Sequence, residues 1–231
     1  MWNKIQRIYI GDHNQIRPTW KPTSSTLAYY PLSDDYNDYS GNGYNLTNNW
    51  GTLTTFNWVK CAYYSWSRYV NSSNTSVPVG EVRTISCWSY IPEVPTSDAA
   101  SLWTWAFNTS YKWRCLALSY NNWGGRCWVS DYIWLWFDSW VSWVWQRNYV
   151  VWIVNWTSMK LYLNWVHIDT KTKNYNGRSS TWIVIAWTNG WSFNPRPVFK
   201  GYVSRAIVES RERTAEEIAD YYNQTKSNYW L

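Results

Sequence analysis

Short runs rich in Val, Ile, Thr, Tyr and Trp recur from near the start of the chain almost to its end. Clusters of Asn, Ser, Gly and Pro separate them at intervals of roughly 8–12 residues, the rhythm of a sandwich or barrel. Strands are predicted at Thr26–Tyr30, Arg83–Ile91, Trp113–Tyr120, Tyr149–Val154, Met159–Leu163, Thr181–Ala186 and Val198–Val208. Within Tyr149–Val154 and Thr181–Ala186 the apolar run is unbroken, which suits strands covered on both faces. Pro78, Pro92, Pro95, Pro195 and Pro197 fall at strand margins, where a missing N–H does little harm. One helix is expected. Thr214-Ala215-Glu216-Glu217 has the form of a capping box, and Ile218, Ala219, Tyr221 and Tyr222 follow at helical spacing until a polar tail from Asn223.

The 231 residues show no repeat, no low-complexity tract and no linker able to divide them. The expectation is an all-β chain: a lead-in over residues 1–22, then one two-sheet antiparallel jelly-roll β-sandwich over residues 23–231 with a short C-terminal helix. The formal net charge is +6, but no basic run exceeds two residues, so the clustered footprint of a nucleic-acid binder is missing. Residues 1–15 lack the apolar core of a signal peptide, which predicts synthesis in the cytoplasm without export by that route. The most apolar stretch, 132–156, is cut by Asp138, Gln146, Arg147 and Asn148, so no membrane insertion is expected.

Composition enters through its anomaly: 23 tryptophans against 10 glycines. Several tryptophans occupy turn contexts. Trp50, Trp58, Trp123, Trp156 and Trp165 each follow an Asn, and Trp66 stands between serines. A tight hairpin wants Asn-Gly there, because both central residues of a type I′ turn need positive φ. Glycine has a mechanism at such positions and tryptophan has none. This pattern is expected of a gene that uses UGA for glycine and is read with UGA as tryptophan. The competing expectation is a genuinely Trp-rich aromatic binding protein.

With glycine at those turns, the chain resembles the laminin-G-like jelly-roll domains of the concanavalin A-like lectin/glucanase superfamily. The segments that carry the resemblance are Thr26–Leu32, the Asp38-Tyr39-Ser40-Gly41-Asn42-Gly43 turn, and Thr84–Trp88. They continue with Trp145 and Tyr149–Val151, the Leu161–Val166 hairpin, and Val208-Glu209 with the Thr214–Tyr222 helix. The order is that of the family over residues 26–223. Departures are the Trp-for-Gly positions, Arg213 where the family has Leu, and the extra N-terminus. That N-terminus, Ile8–Gly11 through Ile16–Pro18, resembles lead-in segments of bacteriophage structural and tail-associated proteins. The resemblances imply a virion-associated or otherwise extracellular-facing recognition module.

Sandwich glycoside hydrolases of that superfamily use paired acids at alternate positions of one strand, which puts both on one face. No such pair is present. The acids are scattered at Glu81, Glu93, Asp98, Asp131, Asp138, Asp169, Glu209 and Glu212. Of the two histidines, His13 lies in the lead-in and His167 reads as a solvated strand residue. No nucleophile elbow, phosphate loop or dinucleotide fingerprint appears. Cys61, Cys87, Cys115 and Cys127 lack zinc spacing, so free buried thiols are expected; pairing of Cys115 with Cys127 depends on hairpin register. Asp38, Ser40 and Asn42 mimic the first half of a calcium loop, but Asn49 stands where its bidentate acid belongs. The competing account is an Asx-type turn, and no cofactor is expected apart from that calcium option. Tyr36, Tyr39, Tyr44, Tyr175 and Trp191 lie in apparent loops and are the candidate sugar-stacking residues. The expectation is a non-catalytic module for cell-surface carbohydrate. The alternatives are a structural subunit contacting other virion proteins and, third, a glycoside hydrolase.

Overall fold

The computed structural model describes residues 20–65, 69–72, 77–78, 82–92, 100–106, 114–120, 125–130, 134–138, 145–155, 157–172, 180–186 and 200–229. In chain order the first strands are β1 (Thr26–Tyr30), β2 (Thr47–Asn49), β3 (Thr52–Phe56), β4 (Val59–Tyr64), β5 (Tyr69–Asn71), β6 (Val77–Pro78), β7 (Arg83–Tyr90) and β8 (Ala100–Ala106). Then come β9 (Arg114–Tyr120), β10 (Gly125–Ser130), β11 (Trp134–Asp138), β12 (Arg147–Val154), β13 (Ser158–Leu163), β14 (Val166–Thr172), β15 (Ser180–Ile185) and β16 (Gly201–Glu209). Helix α1 (Ala215–Thr225) closes the fold with a 3-10 turn at Lys226–Tyr229.

All pairing is antiparallel. The first sheet runs β14-β13-β12-β7-β16-β4-β3 with β1 beside β16, and the second runs β11-β10-β9-β8-β15-β5-β2 with β6 beside β15. The all-β jelly-roll expectation holds. Every predicted strand is present with ends moved by a few residues; the largest change is Val198–Val208, which begins at Gly201 and ends at Glu209.

The alternation of β12 explains its unbroken apolar run. Val150, Trp152 and Val154 point into the core between the sheets with Ile85, Cys87, Leu161 and Ile183. Tyr149, Val151 and Ile153 point outward, where α1 covers them with Ile218 and Tyr221. Burying an apolar side chain of this size stabilises by about 1.5–3 kcal/mol, so the helix is held by its apolar face rather than by propensity. The capping box forms as expected: Thr214 Oγ1 accepts from the Glu217 N–H at 3.2 Å, and Glu217 Oε2 accepts from the Thr214 N–H at 2.9 Å. The helix does not stop at Asn223. It continues to Thr225, whose hydroxyl donates to the Tyr221 carbonyl at 2.7 Å and accepts from the Trp88 indole N–H at 3.2 Å.

Arg213, the departure before the helix, is buried against the sheet. It donates to Glu209 and, at 2.8 Å, to the Tyr149 hydroxyl, and it lies over the Trp20 and Tyr221 rings. Burial opposes its charge, but Tyr149 and Glu209 more than offset this and hold its pKa above the usual arginine value. Trp20, inside the expected lead-in, packs edge-on against Tyr29 and Tyr221 at 5.1 and 5.7 Å. Residues 1–19 lie outside the described residues.

Candidate functional site

The turn containing the calcium candidates is closed by its own hydrogen bonds. Asp38 Oδ1 accepts from the Tyr29 and Ser40 N–H groups, and Oδ2 accepts from the Ser40 hydroxyl and the Tyr44 N–H, at 2.8–3.0 Å. Asn42 Nδ2 donates to the Thr26 and Leu27 carbonyls at 3.0 Å. Asp38, Ser40 and Asn42 are therefore brought together, and their polar groups tie the loop to β1 in the manner of an Asx turn. Among the described residues no group of three or more His, Cys, Asp or Glu side chains is placed to hold a metal ion.

The loop tyrosines divide. Tyr36 and Tyr44 pack onto the inter-sheet core, and burial pushes the Tyr36 phenol up to about 12. Gly51 permits this approach: a Cβ there would stand 3.0 Å from the Tyr36 hydroxyl and from the Tyr64 ring. Among the described three, Tyr39 projects, 55% exposed, with its hydroxyl donating to Asp35 at 3.0 Å. Tyr175 and Trp191 lie outside the described residues. The five candidates thus do not form one platform in the described part of the chain.

A different aromatic group lies on the outer face of the first sheet, beyond the end of the helix. Ala62, Tyr64 and Val203 point into the core, so alternation turns Tyr63 and Tyr202 outward. Register then sets Tyr63 opposite Tyr202, Tyr202 opposite Tyr90, and Tyr90 opposite Arg147, a single line across β4, β16, β7 and β12. Phe56 joins from the β3–β4 hairpin, stacked on Tyr202 at 4.1 Å and 4.7 Å from Tyr90. Tyr63 lies 4.8 Å from Tyr202. All five side chains are half-buried.

Arg147 spans this row. One of its N–H groups donates to the Phe56 carbonyl at 2.6 Å, and its guanidinium lies 5.4 Å from both the Phe56 and Tyr229 ring centres. Burial draws its pKa below the ordinary arginine value, and nearby Tyr229 and Cys61 work the other way; an arginine so placed stays charged at neutral pH. Beneath the row, Cys61, Arg147, Tyr202 and Tyr229 line a cavity with room for about one water molecule. A ligand larger than water must lie on the row, not inside it. The residue types were visible in the sequence, but the cross-strand register that unites them was not.

Four of the described acids are engaged elsewhere. Glu209 pairs with Arg213, Glu212 with Lys160, Glu217 with Arg211 at 2.6 Å, and Asp169 with Lys171 at 2.7 Å. Glu81, Glu93, Asp98, Asp131 and His13 lie outside the described residues. His167 is exposed on β14, with Nε2 2.9 Å from the Thr170 hydroxyl. Cys61 and Cys87 are buried and in no disulfide, and burial pushes the Cys61 thiol up to about 11. The β9–β10 register sets Cys127 opposite Leu118, three residues from Cys115, so the two cysteines are not cross-strand partners.

No protein-family model and no curated protein sequence matches the chain. Solved structures do. Domain 4 of AbnA, a GH43 extracellular arabinanase from Geobacillus stearothermophilus solved in complex with arabinotriose, superposes with a TM-score of 0.67 at 17% identity. That match covers 86% of this chain and 98% of the arabinanase domain. The receptor-binding domain of botulinum neurotoxin D matches with a TM-score of 0.63 at 16% identity, over 86% of this chain and 52% of its own. A serotype D ligand-binding domain in complex with N-acetylneuraminic acid matches with a TM-score of 0.61 at 18% identity, over 86% and 50%. The chain thus spans about half the length of those neurotoxin domains. At such identities the likeness is one of fold.

Proposed function

We propose that this chain is a non-catalytic recognition module of the laminin-G-like jelly-roll kind, binding carbohydrate at a cell surface through the row Phe56, Tyr63, Tyr90, Tyr202 and Arg147. The observation that carries the reading is an aromatic strip that, among the described residues, is left uncovered on the same sheet face that α1 seals elsewhere. Tyrosine supplies apolar ring surface and a hydroxyl together, the combination a sugar presents in return. Arg147 adds a fixed positive charge, which suits a sugar bearing a carboxylate. Two fold neighbours were solved with a sugar bound, arabinotriose and N-acetylneuraminic acid, which supports the class of ligand. The ion pairs that occupy Glu209, Glu212, Glu217 and Asp169 support a role without catalysis. The setting we propose is a bacteriophage particle or another surface-facing assembly, on the resemblance of residues 8–18.

A glycan array of neutral and carboxylated sugars, probed with the intact protein, tests this reading. It expects binding to at least one class, without release of shorter products. Binding to no glycan contradicts it, and turnover lost on replacing a single acid makes the protein an enzyme instead.

A further inference from the structure

Tryptophans with described side chains fall into two populations. Trp20, Trp88 and Trp152 pack against other side chains, and none of them has positive φ. Trp88 is 1% exposed, stacks on Tyr229 at 4.1 Å and donates its indole N–H to Thr225. Trp50, Trp58, Trp145 and Trp165 are the reverse. They are 79, 77, 65 and 52% exposed, and their φ angles are 72, 65, 63 and 72°. Every exposed tryptophan among the described residues is in the left-handed region, and every packed one is outside it.

That region costs an L-residue with a bulky side chain roughly 1–2 kcal/mol, and it persists only where the surroundings enforce it. Other non-glycine residues there have such reasons. Leu32 and Ala186 are buried, Arg205 sits within the irregular β7–β16 pairing with its N–H donating to the Pro31 carbonyl at 3.0 Å, and Asn57 and Asn164 are of the type that tolerates the conformation. The four tryptophans project into solvent, with no burial to compensate. Two complete two-residue hairpins, Asn57-Trp58 between Phe56 and Val59 and Asn164-Trp165 between Leu163 and Val166. Both central residues of each turn have positive φ, the type I′ pattern whose preferred sequence is Asn-Gly. Where the chain does carry glycine at positive φ, at Gly41 and Gly43, a Cβ would meet open space, so conformation and not crowding favours glycine there too.

We propose that the natural protein carries glycine at positions 50, 58, 145 and 165, and that its gene specifies them with UGA, a codon that differs by one base from the glycine codon GGA and by one from the tryptophan codon UGG. The inference stands on backbone geometry and goes beyond the carbohydrate reading. It also corrects the family resemblance at Trp145, which is exposed in a strained turn and not anchored like Trp88. Position 145 precedes Arg147 by two residues, and the turn at 165 is tied to β12 by Asn164 Nδ2 donating to Asn148 at 2.9 Å.

The test is to read the source gene at these four codons and at codon 88, and to sequence peptides of the protein made in its own cell. The expected result is UGA at the four positions with glycine-containing peptides, and UGG at 88. UGG at the four, or tryptophan in the native peptides, overturns the proposal. A second measurement compares the chain as written with the W50G/W58G/W145G/W165G variant. Relief of left-handed strain raises the thermal midpoint by roughly 2–4 °C per site. A midpoint that stays level or falls contradicts the strain argument directly.

Discussion

One face of the first sheet carries two aromatic groups of similar composition and opposite treatment. Under the helix, Trp88, Tyr149, Tyr221 and Tyr229 are buried around the Arg213–Glu209 pair, and their polar atoms are largely matched within the fold. Beyond it, Phe56, Tyr63, Tyr90 and Tyr202 stand half-exposed around Arg147. Aromatic content alone therefore says little about role. What separates the groups among the described residues is the cover: Arg213 has its partner carboxylate buried beside it and holds a layer together, whereas Arg147 at the margin donates to the Phe56 carbonyl.

Replacing the two arginines breaks the comparison most sharply. Arg213→Ala leaves the buried Glu209 with only the longer Arg211 contact at 3.6 Å, and the expected loss is about 3 kcal/mol in denaturant unfolding. Arg147→Ala removes a charge-assisted bond to one carbonyl from a half-exposed site, and the expected loss is about 1.5–3 kcal/mol. Equal losses would erase the distinction. Thr214→Ala tests whether the cover depends on its cap. About 1 kcal/mol is expected, with the far-ultraviolet spectrum otherwise retained. The smallest effect is on pH. The Arg211 hydrogen bond holds Glu217 below its ordinary value, and Lys160 and Asn155 do the same for Glu212 against the opposing effect of burial. A lowered carboxylate pKa stabilises above the unfolded value and is lost as pH falls through the folded one. Stability is thus level from neutral pH to about 5 and declines below about 4.3, in a titration followed by thermal midpoint.

The sandwich was legible because strand runs and turn clusters are local signals. The doubly covered run Tyr149–Val154 and the Thr214 cap could be read without neighbours, and both formed as expected. The proposed binding row could not. Tyr63, Tyr90 and Tyr202 are ordinary strand tyrosines until register brings residues more than 100 positions apart into one line. The loop tyrosines show the converse: a loop held by its own Asp38 network draws Tyr36 and Tyr44 inward. Arg213, a departure from the resembled pattern, proved to be the centre of the covered group.

The central claim, that the uncovered row is the binding surface, is tested most directly by titrating a glycan bound on the array into two variants. Tyr202→Ala lies in the middle of the uncovered row; Tyr222→Ala removes a ring that stacks on Trp88 at 5.6 Å in the covered group. The account predicts at least a tenfold loss of affinity for Tyr202→Ala, about 1.4 kcal/mol, and unchanged affinity for Tyr222→Ala. Affinity untouched by Tyr202→Ala in a protein that still folds would contradict it.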